Sequence, residues 1–100
     1  MDKAQKFELM NKVVRELEDL QNSQTALITK IGQIEVDNMN GLNDKRLEDN
    51  LSDMHSKIAE NVATITEIFA YFEAKRDEFG DTNRSAIDAI AAAAAADAVK

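Results

Sequence analysis

This chain of 100 residues has no cysteine, no proline and no tryptophan, and only three glycines. Without cysteine there is no disulfide framework and no thiolate metal site. Without proline, nothing in the sequence interrupts a long helix by ring clash and a missing N–H. Aromatics are scarce as well, one Tyr and four Phe. The N-terminus, Met1 to Leu9, is polar and has no apolar h-region, so no conventional signal peptide is expected. The longest apolar run is the alanine tract Ala89 to Ala96, bracketed by Asp88 and Asp97, and no membrane span is expected. Basic charge is also in deficit: 12 Lys and Arg stand against 19 Asp and Glu, for a net charge of −7. The deficit is spread along the chain, so no segment offers the basic stripe that a phosphate backbone demands, and nucleic acid is excluded as a partner.

What is present is helix-period sequence. The composition, with many helix formers and few breakers, reads as all-α. Turn formers cluster in one place, Asp37-Asn38-Met39-Asn40-Gly41-Leu42-Asn43-Asp44. Before it, a helix is expected over 3–36, with apolar positions Met10, Val13, Leu17, Leu20, Leu27, Ile31 and Ile34, and Gln24 in the middle. The steps alternate 3 and 4, which is heptad spacing. After a turn over 37–43, a second helix is expected over 44–79. Its stripe is Leu47, Leu51, Met54, Ile58, Asn61, Ile65, Ile68, Phe72, Lys75 and Phe79, and Gly80 is placed to close it as a C′ glycine.

The two stripes match as an antiparallel hairpin over residues 1–80. Pairing Gln24 with Asn61 sets facing positions to sum to 85, and each apolar layer then meets an apolar one: Leu20 meets Ile65 and Leu27 meets Ile58. Gln24 and Asn61 are expected to bond each other in the core and hold the register. Further apolar residues flank the seam: Phe7, Val14 and Ile28 on the first helix, Val62 and Phe69 on the second. Such a stripe is wider than one helix covers, so these five are the expected partner interface, and a four-helix bundle with a second hairpin is the expected assembly. Residues 81–100 read as a linker followed by a flexible or weakly helical Ala-rich tail.

No residue set promises chemistry. His55 is the only histidine, and Leu51, Ser52, Ile58 and Ala59 occupy the neighbouring turns where further ligands would stand. A nucleophile needs a base and an orienting group converging in a pocket. Carboxylate pairs such as Glu18-Asp19, Glu48-Asp49 and Asp77-Glu78 are adjacent and diverge by about 100° on a helix. No catalytic residue, metal site or cofactor is expected. An amphipathic lipid-surface role is disfavoured by the lack of Lys and Arg excess on the polar faces.

In layout, an acidic cysteine-free hairpin of about 100 residues with a central Gly-containing turn and a C-terminal tail resembles the WXG family, small substrates and partners of type VII secretion systems. The family's Trp-x-Gly falls on Met39-Asn40-Gly41, where the Gly is kept and Met replaces Trp. Its second signature, an aromatic followed four residues later by an acid, is matched by Phe69 and Glu73. With Phe for Tyr and no Trp, the pattern is similar to the WXG-like hairpins that accompany LXG toxins in Gram-positive bacteria. That resemblance implies a targeting adaptor that binds the toxin's helical N-terminal domain, with Phe69 and Glu73 in a composite export signal. From the polar N-terminus, the expected location is cytoplasmic, with any export by a route that reads no conventional signal. The alternative from the residues alone is a self-associating cytosolic or phage-encoded coiled-coil module.

Overall fold

The structure, a computed structural model, describes residues 1–99 and the side chains of residues 1–97. Lys100, the end of the expected tail, lies outside the described residues, as does the side chain of Val99. The described residues are helical, with no strand among them. α1 spans Lys3–Asp37, α2 spans Lys45–Thr82 and α3 spans Arg84–Val99.

Each helix end has a local cause. Asp2 and Gln5 cap α1 reciprocally: the Gln5 amide donates to Asp2 Oδ1 at 2.7 Å, and the Asp2 amide donates to Gln5 Oε1 at 3.0 Å. At the other end the expected helix break does not occur at Asp37. The chain widens into one π-helical turn, Asn38–Leu42, and reverses at Asn43, whose φ of 49° and ψ of 39° are left-handed. Asn tolerates that region better than most side chains. Gly41, in the same turn, has no positive φ.

The turn is held from inside by Asn38, the one buried polar residue of the described chain, at 3% exposure. Its Nδ2 donates to the Asp44 carbonyl at 3.1 Å, and its Oδ1 accepts the Asp44 amide at 2.9 Å. Asp44 then caps α2 by accepting the Leu47 amide at 2.9 Å.

Gly80 does not end α2. The helix runs on to Thr82, and the only interruption before α3 is Asn83. Helical bonds continue across it, from the Asn83 amide to the Phe79 carbonyl and from the Ile87 amide to the Asn83 carbonyl. The expected linker over 81–85 is therefore helix with one irregular residue, and α3 extends it through the alanine tract.

The chain divides into two compact units. The first joins Met1–Leu17 to the chain from Phe69 onward. Met10 and Val14 are its buried large side chains, with Phe7, Leu17, Phe69, Phe72, Arg76 and Phe79 half-buried around them. Phe7 stacks on Phe79, ring centroids 6.5 Å apart and planes 17° from parallel. Gly80 is buried beneath Phe7, and a Cβ built there would stand 2.6 Å from the ring edge. Gly80 is thus present for close approach rather than for a turn.

The second unit, Glu18–Ile68, is a hairpin closed by the π turn. Its buried residues are Ile31, Leu51, Ile65 and Asn38. Gln21, Gln24, Ile28 and Glu35 on α1, with Leu47, His55, Ile58 and Val62 on α2, are half-buried around them.

These seams differ from the expected one in a regular way. α1 keeps Met10, Leu17, Gln24 and Ile31, but turns in Gln21, Ile28 and Glu35 where Leu20, Leu27 and Ile34 were expected. α2 keeps Leu51, Ile58, Ile65, Phe72 and Phe79, but turns in His55, Val62, Phe69 and Arg76 in place of Met54, Asn61, Ile68 and Lys75. Moving half the seam on by one residue rotates each helix by about 50°. The register moves with it. Arg76 Nη1 donates to Asn11 Oδ1 at 3.1 Å in the first unit, and Gln21 Nε2 donates to Thr66 Oγ1 at 2.7 Å in the second. Positions 11 and 76, like 21 and 66, sum to 87 rather than 85.

The cause lies on α2. The rotation exchanges Asn61 for Val62, Ile68 for Phe69 and the Lys75 ammonium for Arg76, whose guanidinium finds Asn11. Val62 and Phe69 bring apolar side chains to the seam, and the Asn61 amide and the Lys75 ammonium, which burial would penalise most, move out to water.

Candidate docking face

The rotated seam relocates nearly every residue singled out in the sequence. Phe7, Val14, Ile28, Val62 and Phe69, expected to face a partner, are buried or half-buried inside their own units. Gln24 is half-buried and Asn61 exposed, and no hydrogen bond joins them among the described residues, so the expected register pair does not form. The polar bond across that part of the hairpin is Gln21 to Thr66 instead. Phe69 and Glu73 are both half-buried. Met39, Asn40 and Gly41 are exposed on the π turn, Met39 at 69%.

His55 is half-buried in the seam of the second unit, and no group of three or more His, Cys, Asp or Glu that could hold a metal occurs among the described residues. One carboxylate oxygen, Glu35 Oε1, is buried without a hydrogen-bond partner. Lys45, at the start of α2, is held above its usual range by its hydrogen bond to Asp49 at 3.0 Å, reinforced by the charges of Asp49 and Glu48. No helix among the described residues is long and apolar enough to cross a membrane.

What the rotation leaves outside is a row of large apolar side chains in the second unit. Leu20, Leu27 and Ile34 recur every seven residues on α1 at 42–46% exposure, and Met54 and Ile68 stand on α2 at 44% and 45%. Each immediately precedes a residue that entered the seam. Stepping back one residue turns about 100° in the same sense along each chain, and because the helices are antiparallel both steps lead to the same side. The five therefore share one face, with Asn61 between Met54 and Ile68.

The electrostatics of this face are unlike those of the rest of the chain. By the helical period, the strip and its flanks hold Ser23, Lys30, Asn50, Lys57 and Thr64 beside the apolar row. Of the ten carboxylates between Glu18 and Ile68, only Asp37 falls there, one heptad beyond Lys30 at the end of α1. Sequence pattern identified every member of the row as apolar but assigned it to the inner seam. The contrary signal was the presence of Asn61 and Lys75 in that seam, the two residues on it that burial costs most.

No family model, no curated protein and no solved structure matches the chain.

Proposed function

We propose that this chain is a non-enzymatic binding protein whose apolar row docks a pair of helices from another protein, completing a four-helix bundle. The observation that carries this reading is the row itself. Five large apolar side chains stand in register on one face of an acidic chain. Water-exposed apolar surface of that regularity is the complement of another amphipathic helix pair.

The resemblance drawn from the sequence supplies the partner: the helical N-terminal domain of an LXG toxin exported by a type VII secretion system, with this chain as its WXG-like targeting adaptor. In that role it binds its toxin in the cytoplasm, and Phe69 with Glu73 contributes to the export signal. Docking is supported by the exposed row, and the secretion role by the layout and the Phe69/Glu73 spacing.

Co-expression of the chain with the helical domain of a neighbouring LXG toxin tests both. A complex that survives purification, and that Leu27→Lys or Ile34→Lys abolishes, is expected. Export of the toxin should then fall when Glu73→Gln is introduced while the complex persists. Absence of a complex with any such domain would remove the secretion reading. A complex indifferent to Leu27→Lys would remove the docking face.

A further inference from the structure

We propose that the first unit holds a free fatty-acid carboxylate in the groove between α1 and α2, its tail along Leu9, Met10, Val13 and Phe72 and its head between Lys6 and Lys75. The groove lies wholly within that unit, so the inference stands apart from the apolar row of the second.

Two recesses make up the groove. One, of about 310 Å³, runs between Leu9, Met10, Val13 and Phe72. The other, of about 280 Å³, is bordered by Glu78, Phe79, Thr82 and Asn83. Lys6, Met10 and Lys75 line both, so the two lysines stand where the recesses meet. Each recess is near the lower end of the range for small-molecule sites, about 300 Å³.

Shape narrows the occupant. On the docking face, five side chains project at 42–46% exposure, which suits a helix laid across them. In the first recess the floor is sunken: Met10 is 6% exposed, Val13 and Phe72 are half-buried, and only Leu9 and Met1 project at its edge. A partner helix needs several turns of projecting apolar surface, whereas a sunken apolar floor receives something thin. An acyl chain is thin, and the flexible Met10 side chain adapts to it.

Charge decides the head. In a chain of net charge −7, the two recesses are lined by two lysines against one carboxylate, Glu78. Neither lysine forms an ion pair among the described residues. Asp2, one turn before Lys6, is committed to the Gln5 amide. Lys75 turns from Glu78 to Tyr71, its Nζ 5.9 Å from the ring centre, and Lys6 Nζ stands 5.1 Å from that of Phe79. A carboxylate between these ammonium groups meets two donors and two positive charges. Glu78 repels it from the second recess, which directs the tail into the first. An anion without a tail would leave the apolar floor to water, and a tail without an anion would leave both lysines unmatched.

Titration calorimetry of dodecanoate into the full chain, below the micellar concentration, reads the site. One molecule per chain is expected to bind. Lys6→Gln combined with Lys75→Gln should weaken it about tenfold. Both side chains are exposed, so the variant does not put folding at stake. Dodecyltrimethylammonium, with the same tail and the opposite charge, should show no saturable binding. Methyl NMR locates the tail: dodecanoate should shift Leu9 and Val13 and leave Leu27 and Ile34 in place.

No saturable binding of dodecanoate, equal binding of the ammonium amphiphile, or indifference to the double lysine variant overturns the proposal. Shifts centred on Leu27 and Ile34 overturn it too, since the tail then lies on the docking face. Binding to phosphatidylglycerol vesicles without binding of free dodecanoate overturns it in favour of a lipid surface.

Discussion

The two units of this chain use the same heptad pattern to opposite ends. The first draws its large side chains inward: Phe7 stacks on Phe79, Gly80 makes room beneath, and Lys6 Nζ sits 5.1 Å from the Phe79 ring centre. The groove that remains there, about 310 Å³ between Leu9, Met10, Val13 and Phe72, has Lys6 and Lys75 at its rim. The second unit spends half-buried positions on Gln21, Gln24, His55 and Glu35 and leaves apolar ones outside. Among the described residues, eight of the eleven exposed large hydrophobics lie between Glu18 and Ile68. A seam that accepts glutamine while leucine faces water is poor design for a monomer and reasonable design for a chain that is completed by another.

The contrast can be broken first at the aromatic stack. Phe7→Ala removes the stack and leaves a void over Gly80, and should cost about 2–4 kcal/mol of unfolding free energy in urea, somewhat below the range for a fully buried Phe. A cost under 1 kcal/mol would mean the first unit is not held by its aromatics.

In the second unit the corresponding anchor is polar. Asn38→Ala strands the Asp44 amide and carbonyl that it binds, with an expected loss of about 2 kcal/mol. Asn38→Asp keeps the acceptor but not the donor and should fall between.

The glycines sharpen the contrast at smaller scale. A Cβ at Gly32 would meet nothing within 4 Å, so Gly32→Ala should stabilise by about 0.5–1 kcal/mol through helix propensity alone. At Gly80 the same gain is outweighed by overpacking against Phe7, for a net loss of about 1 kcal/mol. Opposite signs in thermal melts of the two variants are expected, and equal signs would place Phe7 elsewhere.

How far the sequence reveals this structure depends on the question. The all-helical class, the position of the turn and the start of both long helices follow from propensity, heptad spacing and caps, because these are local properties. The rotation of the seam is not local. Leu20 and Gln21 on α1 are both at seam-compatible positions, and choosing between them requires knowing what α2 gains from Phe69 and Val62. Hydrophobic counting along α1 alone favours Leu20, Leu27 and Ile34. The sum over both helices, with Asn61 and Lys75 expelled and Arg76 satisfied by Asn11, favours the other face. Gly80 misleads for a related reason. A glycine near a polar run reads as a helix end, and only the approach of Phe7 from a distant part of the chain explains it.

The central claim, that adjacent residues on α1 divide between an inner seam and an outer docking face, is tested most directly by comparing Ile28→Lys with Leu27→Lys. Unfolding of both would be followed by circular dichroism at a protein concentration where the parent is monomeric, so that lost association does not enter. Ile28→Lys is predicted to lose at least about 2 kcal/mol, because it forces a charge into the seam. Leu27→Lys is predicted to lie within about 0.5 kcal/mol of the parent, as an exposed substitution should. If Leu27→Lys proves the more damaging of the two, the seam runs through Leu20, Leu27 and Ile34 after all, and the docking face is not where it is drawn here.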